Sequence, residues 1–95
     1  MSKFEFGQVV MTKNVAEKSK TDMGFEHFLQ MSLSRYLNCD WGNTCKEDWD
    51  QNDISVEQGE RILAVYNNPS NEDETIWIIT EWDRSVTTIL FPSEY

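Results

Sequence analysis

Apolar residues fall along the 95-residue chain in two rhythms. From Phe4 to Met11 they occupy both faces of an extended segment, Phe4, Phe6 and Val10 on one and Val9 and Met11 on the other, which predicts a first strand. Thr12 and Asn14 are suited to cap a short helix through Val15-Ala16-Glu17-Lys18, broken by Ser19-Lys20-Thr21-Asp22. The period then becomes helical. Phe25, Phe28, Leu29, Ser32 and Tyr36 recur at i, i+3, i+4, i+7 and i+11, predicting a helix from Met23 to Leu37 with Thr21 or Asp22 as its cap. Asn38 to Asn43 ends it, with Gly42 and Asn43 free to take positive φ.

Thr44-Cys45-Lys46-Glu47 fits a capping box, Thr44 bonding the Glu47 N–H and Glu47 reaching back. A third helix follows, its early acids suited to the helix dipole, with Ile54 and Val56 as apolar anchors and Gly59 as its stop. The last third returns to strands. Arg61–Tyr66 and Thr75–Thr80 are apolar on both faces, as central strands are, so Trp77 is expected in the core. Asn67–Asp73 is a polar turn cluster, Trp82-Asp83-Arg84-Ser85 a tight reversal, and Val86–Phe91 a last strand stopped by Pro92. Short links favour an antiparallel meander. The order β-α-α-α-β-β-β predicts one α+β domain over residues 1–95: a three- to four-stranded antiparallel sheet with helices packed on one face.

Charge alters this picture more than size does. Seventeen acidic residues against eight basic give −9 and a pI near 4.4, which argues against a basic groove for nucleic acid or an anionic membrane. The charge is uneven. Residues 1–37 hold five basic and four acidic side chains; residues 38–95 hold three basic (Lys46, Arg61, Arg84) and thirteen acidic. Seven of those acids fall between Asp40 and Glu60. The start, Met1-Ser2-Lys3-Phe4-Glu5, lacks the apolar stretch of a secretory leader, and no run is long enough to span a bilayer, so a cytoplasmic protein is expected. Cys39 and Cys45 do not have zinc-knuckle or C-x-x-C spacing and read as free thiols.

The run from Ile76 to Tyr95, IWIITEWDRSVTTILFPSEY, resembles a family of small uncharacterised bacterial proteins of plasmids and phages, which end in a similar IWIITE-x-DRS-x-TTILLP-x-EY pattern. The resemblance extends to Phe6–Val10, Asp40-Trp41-Gly42 and Gly59–Leu63, and so covers most of the chain. Met23–Asn38 is longer here, and Trp82 stands where a small residue is usual. What the resemblance implies is a context, a small accessory protein of mobile DNA. The restriction-modification label that some members carry gains no support from these residues. Asn68-Pro69-Ser70 fails as a methyltransferase catalytic turn, and no Gly-rich cofactor turn is present.

The residues give little for catalysis, and a non-enzymatic protein without cofactor or metal is expected. His27, the single histidine, lies just off the apolar stripe of its helix. Asp83-Arg84 reads as a turn Asp beside a surface Arg. Asp48, Asp50 and Asp53 lack the sixth-position Gly and twelfth-position Glu of an EF-hand loop. The acidic stretch and its tryptophans have two readings. In one, a solvated skin lies over Trp41 and Trp49 sealing a small core. In the other, Asp40, Glu47, Asp48, Asp50, Asp53, Glu57 and Glu60 form a partner-binding face with Trp41, Trp49 and Trp82 as apolar anchors. That face would mimic DNA and occlude a basic host protein such as a nuclease or CRISPR effector, an anti-CRISPR or anti-restriction role. The alternative from another class is a structural or accessory homodimer joined through sheet edges or through its Trp82 hairpins.

Overall fold

Gly7 sets where the sheet begins. Its φ is +65°, and a Cβ there would lie 2.4 Å from the carbonyl oxygens of Arg84 and Ser85, so only glycine lets the chain approach the β-turn at this point. In the computed structural model, which describes residues 3–95, the first strand is therefore Gln8–Met11 (β1) and not Phe4–Met11. Met1 and Ser2, part of the argument against a leader, lie outside the described residues.

Three helices follow: α1 (Lys13–Thr21), α2 (Met23–Leu37) and α3 (Lys46–Gln58). Thr12 caps α1 by accepting from the Val15 N–H, and Asp22 caps α2 by accepting from the Phe25 N–H. The five stripe residues of α2 are all buried. The helix ends in a Schellman motif: the Cys39 N–H bonds Tyr36 O and the Asp40 N–H bonds Arg35 O. Cys39 takes the left-handed position (φ 62°) there, so positive φ falls on Cys39 and Gly42, and Asn43 does not adopt it. The Thr44 capping box does not form. Cys45 is the N-cap of α3 and makes no side-chain cap bond, because the Thr44 hydroxyl is engaged elsewhere: it donates to Trp41 O (2.5 Å) and accepts from the Val65 N–H (2.9 Å).

Strands β2 (Ile62–Asn68), β3 (Asn71–Thr80) and β4 (Val86–Leu90) form the antiparallel meander, and a short 3₁₀ turn spans Pro92–Glu94. Most of the expected polar turn joins the β2–β3 ladder, leaving Pro69-Ser70 at the tip. The sheet order is β1-β4-β3-β2, and β1 pairs with β4 in parallel. The fold is thus α+β with a mixed, mostly antiparallel sheet. β2 is a terminal strand despite its central-strand sequence. Its outward backbone groups are satisfied by the chain that follows α2: Asn52 bonds both the N–H and the C=O of Leu63, Thr44 takes the Val65 N–H, and Asn43 takes Val65 O and the Asn67 N–H.

The core lies between the helices and the face of the sheet formed by Ile62, Ala64, Tyr66, Ile76, Ile78 and Ile89, with Val15, Phe25, Phe28, Leu29, Tyr36 and Trp41 opposite. Trp77 is on the other face, half-buried, its ring edge-on to Tyr95 with centroids 5.3 Å apart. Beneath Phe4 a row of hydroxyls crosses the core. Tyr36 Oη is 2.6 Å from Thr80 Oγ1, Thr80 is 2.7 Å from Thr87, and Thr87 donates to Phe6 O at 2.6 Å. A carbonyl only accepts, and each hydroxyl has one proton, so the direction is fixed: Tyr36 donates to Thr80, Thr80 to Thr87, Thr87 to Phe6. Burial pushes the Tyr36 phenol well above its usual range, so the proton that begins this row stays in place. Thr87→Val keeps shape and β-branching but leaves the Phe6 carbonyl and the Thr80 proton unpaired. It is expected to lower unfolding stability by about 1–3 kcal/mol, read as a shifted urea midpoint. Thr88→Val on the opposite face should stay within about 0.5 kcal/mol; equal effects would refute the row's role.

Candidate interaction surface

α3 is attached to the sheet through one side and leaves the other open. Trp49 and Val56 pack against the core, and Asn52 and Ser55 are buried. Its C-terminal end is held from the opposite hairpin. Arg84, itself left-handed (φ 61°), sends Nη2 to Ser55 O (2.7 Å) and Nη1 to Glu60 O (2.6 Å). α3 has no basic residue in its last turn, so Arg84 supplies the cation that complements the negative end of its dipole. Arg84 also fixes the corner that carries Trp82 beside that end of the helix, and Asp83 tightens the corner by accepting the Ser85 N–H and O–H. Those two bonds hold the Asp83 carboxyl below its usual range.

The ten sequence-predicted surface residues separate into groups. Trp41 is fully buried, in contact with Phe4 and Tyr36, and its Nε1 donates to Asp53 Oδ1 at 2.9 Å. It is a core residue and not an anchor, because the chain around Gly42 must press against Tyr66 and Val65 to reach the β2 edge. Asp40 is structural. Its carboxylate forms a two-point pair with Arg35 (2.9 and 3.1 Å) and accepts the Gly42 N–H. The Arg35 guanidinium, with the Gly42 N–H adding to it, holds the Asp40 carboxyl below the usual range against the opposing effect of burial. Trp49 is half-buried. Glu47, Asp48, Asp50, Asp53, Glu57 and Glu60 are exposed, and Trp82 is 68% exposed.

On the helical wheel Glu47, Asp50, Ile54 and Glu57 point directly away from the buried side, and Ile54 at their centre is 52% exposed. Lys46 is the one cation of α3; it pairs with Asp50 at 3.1 Å, with both side chains mostly in solvent. Beside this row Thr44, Lys46, Trp49, Asp50 and Asp53 line a shallow depression of about 400 Å³. Asn43, Asn52 and Arg84 build the surface's foundation: the sequence assigns Asn43 only to a turn and Arg84 only to the surface, and gives Asn52 no role. An Asn in mid-helix where nothing local needs its side chain is the one sequence signal that could have marked Asn52. Comparison with protein-family models, with curated proteins and with solved structures finds no match. No helix among the described residues is long and apolar enough to cross a membrane.

Two outcomes follow from these attachments. Arg84→Ala removes three charge-assisted bonds to main-chain carbonyls, two of them (Ser55 and Glu60) at the end of α3 and a longer one to Glu81 in its own corner. It should cost about 1–3 kcal/mol and speed hydrogen exchange at the Gly59 and Glu60 amides more than in β3. Uniform acceleration would show that Arg84 does not hold that end. Asp40 and Glu94 both have carboxyls depressed in the folded state, Glu94 by the Phe91 N–H and by Thr12 and Asn14. Their contribution is complete above the unfolded carboxyl value near ~4 and is lost as pH falls through the lower folded value. Melting temperature should therefore drop below about pH 4, less steeply in Asp40→Asn; parallel profiles would sink this assignment.

Proposed function

We propose that the protein is a non-enzymatic interaction module that lays the outer face of α3 on a basic, nucleic-acid-binding protein and occludes it. The observation that carries this reading is the row of solvent-facing carboxylates around an exposed Ile54, with Lys46 as its one neutralising cation. Helical positions three apart advance about 4.5 Å along the axis. The three carboxylates of the row, Glu47, Asp50 and Glu57, span about 15 Å of the axis, while phosphates on one DNA strand advance about 3.4 Å each, so the row has the sign of a strand's charge at roughly half its density. The depression beside Trp49 adds a second element. A guanidinium from the partner would displace Lys46, pair with Asp50 and Asp53, and lie near the indole. Trp82 at the far end of α3 extends the surface with an exposed aromatic of the kind that dominates interface energetics.

Resemblance to proteins of plasmids and phages gives this surface a biological setting, with nucleases, restriction complexes and CRISPR effectors as the class of target. Occlusion needs no turnover and no cofactor. The affinity would arise from charge and would weaken steeply with salt, as it does for the nucleic acid it replaces.

The test uses tagged protein to capture targets from cells carrying nuclease or CRISPR systems, followed by titration of the purified target. Glu47→Gln with Asp50→Asn and Glu57→Gln should weaken binding about tenfold or more, and duplex DNA should compete with the wild-type protein. A captured target that binds the triple variant equally well, or that holds DNA and this protein together, would overturn the proposal.

A further inference from the structure

We propose that the chain self-associates through the free edge of β1, two copies pairing their first strands antiparallel about a two-fold axis to join two four-stranded sheets into one. The two terminal strands are treated differently. Every outward backbone group from Leu63 to the Asn67 N–H on β2 is satisfied by Asn43, Thr44 or Asn52. β1 has no such cover. The Gln8 N–H bonds Ser85 O and the Thr12 N–H bonds Ile89 O, so in this parallel ladder residues 8, 10 and 12 face β4. The N–H and C=O groups of Val9 and Met11 therefore point outward, and no hydrogen bond among the described residues uses them.

Gln8-Val9-Val10-Met11 carries no charge, no proline and no bulge, so its four-residue length is all that blunts this edge. Two outward residues at i and i+2 are also self-complementary. Val9 of one copy and Met11 of the other exchange both N–H···O bonds, and the symmetry mate repeats the exchange, giving four bonds with Val10 opposite Val10 on the axis. Met11, 44% exposed, gains cover at the seam. Lys13, whose side chain is 87% exposed, is brought to the end of β1 that carries Glu5 of the other copy.

The charge of −9 opposes association, yet its location permits this one. α3 lies beyond β2, at the opposite edge of the sheet. Seven strand spacings separate the two β2 strands of the dimer, roughly 30 Å or more, several times the ~8 Å Debye length at physiological salt. The acidic faces stay clear of each other and both remain free. A seam of one short strand from each copy falls below the ~800 Å² per partner of long-lived complexes, so the dimer forms at high concentration.

Sedimentation equilibrium from about 10 µM to 1 mM, the concentration range of such small interfaces, tests it. The weight-average mass should climb from the 11.2 kDa of one chain towards twice that value. Met11→Pro removes an outward N–H while keeping every bond to β4, and should leave the protein monomeric across the range. Exchange at the Val9 and Met11 amides of the wild-type protein, which needs no substitution, should slow as concentration rises. A monomer at 1 mM, a dimer that survives in a folded Met11→Pro variant, or amide exchange independent of concentration would overturn the proposal. Loss of the dimer in Trp82→Ala alone would place the contact at the hairpins and overturn it equally.

Discussion

The outer edge of β2 is met by α3 and the chain that joins it to α2, and the satisfaction of its backbone groups organises much of the molecule. Asn52 must stand where it can bond both Leu63 groups, which fixes the rotation and height of α3. Thr44 must reach the Val65 N–H, which takes it away from the start of the helix. Asn43 must run alongside Val65, which forces Gly42 against the Tyr66 ring with no room for a Cβ. Trp41, one residue earlier, is then carried into the core, and the Tyr66 hydroxyl closes on Asp40 O. Unpaired, each buried group would cost roughly 1–3 kcal/mol, so this corner outweighs any surface ion pair in the protein.

Features that depend on neighbours in sequence were legible beforehand. The α2 stripe, a cap at Thr21 or Asp22 (the structure uses Asp22), the Gly59 stop and the meander order all follow from local spacing or turn chemistry, and all are present. What was not legible depends on contacts across the chain. Thr44 has the sequence of a cap, but a partner 21 residues away uses its hydroxyl. The strand from Phe4 stops at Gly7 because of two carbonyls near residue 85. β1 lies parallel to β4, a pairing that alternation along one strand cannot encode. Trp41 and Trp49 both lie in the acidic stretch, Trp41 after Asp40 and Trp49 between Asp48 and Asp50; the path of the chain along the β2 edge carries Trp41 into the core. Of the candidate surface, the carboxylates of α3 were readable as exposed positions, whereas the roles of Asp40 and Arg84 were not.

The acidic stretch therefore divides by task. Asp40 secures the end of α2 through Arg35, and Asp53 spends one oxygen on the Trp41 indole. Among the described residues Glu47, Asp48 and Glu57 form no ion pair, and Asp50 pairs only with the exposed Lys46. Elsewhere charge is absorbed into the architecture in the same way. Glu74 is buried between Lys18 and Asn68, and Glu94 ties the C-terminal turn to Thr12 and Asn14. Exposed carboxylates without an ion pair among the described residues also stand at Glu5, Glu72 and Asp73, and the outer face of α3 carries the densest group of them.

Arg84 grips α3 by the oxygens of Ser55 and Glu60, and Asn52 grips β2 by the main chain of Leu63. None of these contacts consults an outward side chain. The helix can accordingly exchange the residues at positions 47, 50, 54 and 57 while its seating stays the same. The outer face and the seating of the helix are thereby uncoupled, much as a handle is separate from a blade. A protein engineer could therefore randomise those four positions at little risk to the scaffold.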